Sequence, residues 1–302
     1  MADCIAPIRA FGLGIALFLF ALGSAASAAP LNVVAAESVY GDIAQQMGGD
    51  RVSVVSILSN PAQDTHLFEA GASAARAVAG ARFVIANGAG YDPWMTKLLS
   101  VPGQGPRDAI VAEKFLKKPS DGNPHLWYDP DLIMNLADAM TAAFAAADPG
   151  GTDYEGRNTA FDKTMQVLID RVAALRAKYT GTPVTATEPV FDYMARQLGL
   201  EMRNAAFQRA VMNDTEPSAS DVAAFEDDLR QHKVKALLYN TQTTGTMSQR
   251  MRRIAEQAGI PVVGISETEP AGMHYQDWML AQLNALDKAL SVATQEQPIG
   301  AK

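Results

Sequence analysis

The sequence predicts an α/β protein of two lobes, each with a parallel sheet flanked by helices, bridged by one long α-helix. Short apolar runs alternate with helix-length segments between residues 31 and 86, and the alternation returns between residues 183 and 264. A single apolar stripe of about five helical turns lies between these stretches. Strands separated by segments of that length pair in parallel, because a right-handed crossover returns the chain to the sheet in the same direction.

The chain begins with the plan of a secretory signal. Arg9 precedes the apolar run Phe11 to Leu22, and the small residues Gly23 to Ala29 follow, with cleavage placed after Ala28. The run is shorter than the roughly 20 apolar residues of a membrane span. A soluble protein exported to the periplasm is therefore expected. Cys4, the one cysteine, lies upstream of the run and leaves with the signal. No lipid anchor is expected, and disulfides, thiolate metal sites and cysteine nucleophiles are excluded from the mature chain. Removing residues 1–28 takes away Asp3 and Arg9, so the formal net charge stays at −8. With no basic stripe, nucleic acid is not an expected partner.

The first lobe is expected over residues 29–150. Leu31 to Ala36 reads as a strand, and Val39, Ile43 and Met47 place one helix face behind it. Gly48-Gly49-Asp50 stops that helix, Arg51 to Leu58 forms a second strand, and Phe83 to Ala86 a third after an Ala-rich helix. In the linking segment, 151–180, Phe161, Met165, Leu168, Val172, Leu175 and Tyr179 recur at spacings of three and four. Thr152 or Asp153 can cap this helix after Pro149-Gly150-Gly151. Taken alone it is either a long surface helix or a rigid strut; the similar patterns on both sides favour the strut. The second lobe, 181–302, has strands at Pro183 to Ala186, Lys235 to Tyr239 and Ile260 to Gly264, with helices between them. Ser220 and Asp221 carry the capping signal of the middle helix.

With thiols absent, a metal site must use His, Asp and Glu. His66, in Asp64-Thr65-His66-Leu67-Phe68-Glu69, and His125, in Asn123-Pro124-His125-Leu126-Trp127-Tyr128-Asp129, both fall in loops beyond strand ends. That is where open parallel sheets bind ligands. Each is flanked by carboxylates and bulky apolar residues, the donor set for Zn²⁺, Mn²⁺ or Fe²⁺ without thiolates. His232, at a helix end among charged residues, reads as a solvated or C-terminal capping side chain, and His274, in a Gly-containing loop, as an exposed one. Asn240 to Gly245 could donate to a ligand carboxylate or form an ordinary turn. Gly88-x-Gly90 lacks the third glycine of a dinucleotide fingerprint.

Four patterns together resemble the zinc/manganese solute-binding proteins of ABC importers. They are Asp64-x-His66-x-Phe68-Glu69, Asn87-Gly88-x-Gly90-x-x-x-Trp94, Asn123-Pro-His125-x-Trp127-x-Asp129-Pro, and Thr187-Glu188-x-x-Phe191-x-Tyr193 with Leu198-Gly199-Leu200. The resemblance runs from about Leu31 to Leu290. It implies one divalent transition-metal ion, Zn²⁺ or Mn²⁺, carried between the lobes as transported ligand. The implied ligands are His66, His125, Glu188 and Glu267. The last departs from the Asp usual in that family, and Glu269 is the alternative. The implied partners are a membrane permease and its cytoplasmic ATPase, with the receptor a monomer. The His- and acid-rich loop of many zinc members is missing; Lys117-Lys118-Pro119-Ser120-Asp121-Gly122 stands there. Two imidazoles with two carboxylates shift preference toward Mn²⁺ or Fe²⁺, while the Irving–Williams order keeps Zn²⁺ tight. The competing classes are a periplasmic metal chaperone and a metallohydrolase using the same His/Glu site. No His-Glu-x-x-His motif supports the hydrolase.

Overall fold

The computed structural model describes residue 1 and residues 29–62, 68–118 and 121–295. The expected signal segment and His66 therefore lie outside the described residues. No helix among the described residues is long and apolar enough to cross a membrane.

The first sheet contains β1 (Leu31–Glu37), β2 (Val52–Leu58), β3 (Phe83–Ala86) and β4 (Asp108–Val111), all parallel, in the order β2-β1-β3-β4. Its helices are α1 (Ser38–Gly48), α2 (Ala72–Ala79), α3 (Pro93–Leu99) and α4 (Pro130–Ala147). The second sheet contains β5 (Pro183–Ala186), β6 (Glu201–Arg203), β7 (Leu237–Asn240) and β8 (Val262–Ile265), parallel in the order β6-β5-β7-β8. With it go α6 (Asp192–Gln197), α7 (Ala205–Met212), α8 (Ala219–Arg230), α9 (Thr246–Gln257) and α10 (Tyr275–Gln295). Both sheets thus share one strand order, and in each the connections reverse direction beside the first strand. That reversal opens a crevice at the strands' carboxyl ends.

Between the sheets runs α5 (Tyr154–Tyr179), 26 residues and about 40 Å at 1.5 Å per residue. All six stripe residues, Phe161 through Tyr179, are buried. They face α1, α4 and α10, and one apolar cluster passes from Val33 and Phe83 through Leu168 to Val184 and Leu286. The strut reading, with a core shared by both lobes, describes this arrangement.

Local details differ from the sequence reading. Asp153 occupies the position before α5 in a left-handed conformation (φ 76°) and makes no side-chain cap. The cap of α8 is Ser218, whose hydroxyl accepts the Asp221 N–H at 3.1 Å, two residues earlier than expected. The strands β4 and β6 were not anticipated. Both are short edge strands: β6 is Glu201-Met202-Arg203, with no apolar run, and β4 opens on the exposed Asp108 and holds only the brief apolar stretch Ala109-Ile110-Val111.

Candidate metal site

His125 follows the loop after β4 and precedes a 3-10 turn, Leu126–Tyr128, that leads into α4. Asp129 caps α4 through the Asp131 N–H, with Pro130 in the first helical position, so the chain leaves the histidine in a fixed direction. The imidazole is fully buried. Asn123 Oδ1 accepts both the His125 backbone N–H, at 3.1 Å, and the ring Nδ1–H, at 2.7 Å. The Asn123 amide donates to the Pro189 carbonyl at 2.8 Å, which settles which end of the side chain is oxygen. Nδ1 therefore carries a proton, and Nε2 is the ring nitrogen that faces the cleft. Nε2 has no hydrogen-bond partner among the described residues and lies 3.4 Å from Glu267 Oε2. The edges of Tyr91 and Trp127 flank the ring, with centroids 6.0 and 5.5 Å away.

Two carboxylates approach from the second lobe, Glu188 just beyond β5 and Glu267 just beyond β8, both nearly fully buried. The amide nitrogen of Asn240, last residue of β7, lies 3.2 Å from Glu188 Oε2 and 2.7 Å from Glu267 Oε1. Asn240 is held in turn: its backbone N–H donates to Thr187 Oγ1 at 3.1 Å, and its Oδ1 accepts the Gln242 N–H at 3.0 Å. Gln242 Oε1 accepts the backbone N–H groups of Glu267 and Thr268 at 2.6 and 2.8 Å. From the first lobe, the Tyr91 hydroxyl donates to Glu267 Oε2 at 2.9 Å. Tyr91 gets there because Gly88, Ala89 and Gly90 all adopt positive φ (79°, 50° and 83°), a turn that Asp92 closes by accepting the Asn87 and Gly88 N–H groups. This is a positioning role for the Gly88-x-Gly90 pair, unconnected with nucleotides. A cavity of ≈ 320 Å³ lined by Phe68, Tyr91, Trp94, Pro124 and Met212 adjoins the site.

The structure thus brings His125, Glu188 and Glu267 to one place. Among the described residues no three His, Cys, Asp or Glu stand close enough to hold an ion by themselves. Glu269 has a different environment: burial first, then the charge of Asp42 on α1, pushes its carboxyl up to about 9. It holds a proton at neutral pH, which makes it the poorer donor to a cation. His232 is exposed at the end of α8. His274 is largely exposed but pairs with Asp42 Oδ1 at 2.6 Å. Asn240 and Gln242 fall in the stretch read as able to hydrogen-bond a ligand carboxylate, but Tyr91 was missed in the sequence. Tyr91 meets its partner across 176 residues of chain, and no local pattern carries such a bond.

The lobes are bonded directly around the site. Tyr128 Oη donates to the Ser266 carbonyl at 2.6 Å, Tyr193 Oη to the Asn123 carbonyl at 2.9 Å, and Tyr275 Oη to the Trp127 carbonyl at 2.9 Å.

Comparison with known proteins agrees with this architecture. The manganese-binding lipoprotein MntA of Bacillus subtilis is 25% identical over 226 residues, covering 71% of this chain and 72% of that protein. The manganese ABC transporter substrate-binding lipoprotein PsaA of Streptococcus anginosus is 23% identical, covering 88% and 91%. Both are named lipoproteins, so the expectation of a chain without a lipid anchor finds no support in them. Among solved structures, the periplasmic zinc binding protein TroA from Treponema pallidum superposes with a TM-score of 0.73 at 19% identity, covering 87% of this chain and 99% of that one. Residues 33–289 match the family described as zinc-uptake complex component A, periplasmic, and the chain belongs to that family.

Proposed function

We propose that this protein is the periplasmic solute-binding component of an ABC importer. It captures one divalent transition-metal ion, Mn²⁺ or Zn²⁺ with Fe²⁺ a further fit to the donors, and delivers it to a membrane permease served by a cytoplasmic ATPase. The ligands are His66, His125, Glu188 and Glu267, drawn from lobes spanning 29–150 and 181–302 and joined by 151–180. The observation that carries this reading is the fully buried His125 Nε2, without a hydrogen bond among the described residues and 3.4 Å from a carboxylate of the opposite lobe. A buried imidazole nitrogen that makes no hydrogen bond and sits beside a carboxylate is costly unless a cation fills the gap. The names and family of the relatives support the same reading. With Zn²⁺, four protein ligands leave no coordination position for a reacting water, which fits a protein that binds and does not catalyse. With α5 shared by both lobes and cross-lobe bonds around the site, only a small lobe movement accompanies loading. Cys4 lies ahead of the apolar run, and on that ground the exported chain is read as unanchored.

Titration of the metal-free chain, from residue 29 onward, with Zn²⁺ and with Mn²⁺ tests this. One tight equivalent is expected, with a thermal shift that His66→Ala or His125→Ala abolishes. Absence of stoichiometric binding of either ion would overturn the reading.

A further inference from the structure

We infer that Asn240 sets the metal preference of the cleft, by pinning one oxygen of each carboxylate so that Glu188 and Glu267 each offer an ion a single oxygen. This rests on the metal-receptor reading above and goes beyond it, to what decides between ions.

The argument begins with the amide's orientation. A primary amide has two N–H bonds on one nitrogen, and Asn240 Nδ2 directs them at Glu267 Oε1 (2.7 Å) and Glu188 Oε2 (3.2 Å). Flipping the amide would set its carbonyl against two carboxylates and its NH₂ against the Gln242 N–H, so only one orientation is sound. Nor can the group drift. Asn240 ends a central strand, pairs with Ile265 of β8, is 2% exposed, and hangs its backbone N–H on Thr187, the residue before Glu188. A donor fixed to the sheet in this way constrains its acceptors more than they constrain it. Glu267 is restrained from the other side as well, because its Oε2 accepts the Tyr91 hydroxyl and faces His125 Nε2. Asn240 holds one lone pair of Glu267 Oε1 and one of Glu188 Oε2, so turning either carboxylate to chelate an ion through both oxygens must bend that bond away from the fixed amide.

Coordination number then follows. Two imidazoles and two carboxylates supply four donor atoms if each carboxylate uses one oxygen, and six if both chelate. Zn²⁺ is content with four tetrahedral donors, whereas Mn²⁺ favours six. Donor hardness alone shifted the expectation toward Mn²⁺; the restraint by Asn240 acts in the opposite sense and favours Zn²⁺.

The test compares the wild-type chain with Asn240→Ala. Zn²⁺ and Mn²⁺ affinities are measured by competition with a chromophoric chelator, and the visible spectrum is recorded with Co²⁺ as a coordination probe. Outer-shell partners of metal ligands are typically worth about 10–100-fold in affinity. We expect Zn²⁺ affinity to fall in that range while Mn²⁺ affinity changes much less, so that the Zn²⁺/Mn²⁺ ratio drops at least about tenfold. Wild-type protein should give the intense Co²⁺ bands of a four-coordinate site, and the variant the weak bands of a higher coordination number. Equal losses for both ions would reduce Asn240 to a structural role, and a six-coordinate Co²⁺ spectrum in the wild type would overturn the inference without any variant. If Asn240→Ala does not fold, Asn240→Leu keeps the volume and removes the donors. Failure of the wild type to bind either ion would bring down the receptor reading itself; binding with an unchanged ratio sinks only the role of Asn240.

Discussion

The two lobes carry the same strand order, and each places a glutamate and an asparagine where that order reverses. In the second lobe these are Glu188, beyond β5, and Asn240, ending β7; in the first they are Glu37, ending β1, and Asn87, just beyond β3. The pairs are used differently. Asn240 donates to Glu188 and Glu267. Asn87 instead donates to the carbonyls of Gly88 and Pro124, and its Oδ1 accepts the Tyr40 hydroxyl at 2.5 Å. It braces the loop that carries His125 and leaves Glu37 aside, whose two buried oxygens have no hydrogen-bond partner among the described residues. The lesson concerns donors. The Asn240 amide is aimed at both Glu188 and Glu267, whereas among the described residues no donor is aimed at Glu37. The second lobe therefore presents carboxylates to the cleft and the first presents imidazole, which needs only an acceptor to fix its tautomer.

The largest effect is expected from breaking the brace on the imidazole side. Asn123 holds the His125 ring with its oxygen and the carbonyl after Glu188 with its nitrogen, joining the two halves of the site in one side chain. Asn123→Ala should weaken metal binding by about 10–100-fold, the usual cost of losing a ligand's orienting partner. Asn123→Asp, which keeps the acceptor for Nδ1, should recover part of that loss. An unchanged affinity in isothermal titration of Asn123→Ala would mean that aromatic packing alone orients the ring, and the contrast drawn above would fail on its first-lobe side.

Glu37 tests the contrast from the other direction. Burial, with the charge of Asp92 adding to it, pushes its carboxyl well above the usual range. The folded chain therefore holds this proton to higher pH than the unfolded chain, which ionises the group above about 4.3. Its contribution is therefore fully present below that value and is lost as pH rises from there toward the folded pKa. Glu37→Gln cannot ionise in either state. Melting curves from pH 4 to pH 8 should show the variant gaining on the wild type as pH rises, by roughly 2–4 °C for each kcal/mol of linkage. Parallel curves would show that Glu37 is ionised in the fold after all.

What the sequence disclosed follows the same division between pattern and cross-chain contact. The strut was legible because Phe161, Met165, Leu168, Val172, Leu175 and Tyr179 repeat at helical spacing, and all six are buried. His125, Glu188 and Glu267 were legible as residue types in motifs. The bonds of Tyr91 with Glu267 and of Asn123 with Pro189 were not, because they join segments far apart in the chain; for Asn240 the sequence offered a donor to a carboxylate beside an ordinary turn, and the structure shows the donor, aimed at both glutamates. Glu37 was invisible for a related reason. A glutamate at a strand end reads as exposed, and only the packing of the strands around it shows otherwise.

The smallest effect should come from a carboxylate accommodated in a third way, by charges at a half-exposed seam. Asp287 on α10 meets Arg171 and Lys178 of α5, both at 2.8 Å, and accepts the Tyr179 hydroxyl at 2.6 Å. These partners, Lys178 foremost, hold its carboxyl well below the usual carboxylate range. The stabilisation is then fully present above about pH 4 and disappears only as pH falls through the lowered folded value. Asp287→Asn should lower the melting temperature by roughly 2–4 °C, equally at pH 5 and pH 7, because solvent screens pairs this exposed. Metal affinity should not change, since no bond of this seam reaches Asn123, Tyr91 or Asn240. A coupled loss of affinity would show that the two halves of the site are kept in register through α5, and that the direct bonds across the cleft are secondary to the strut.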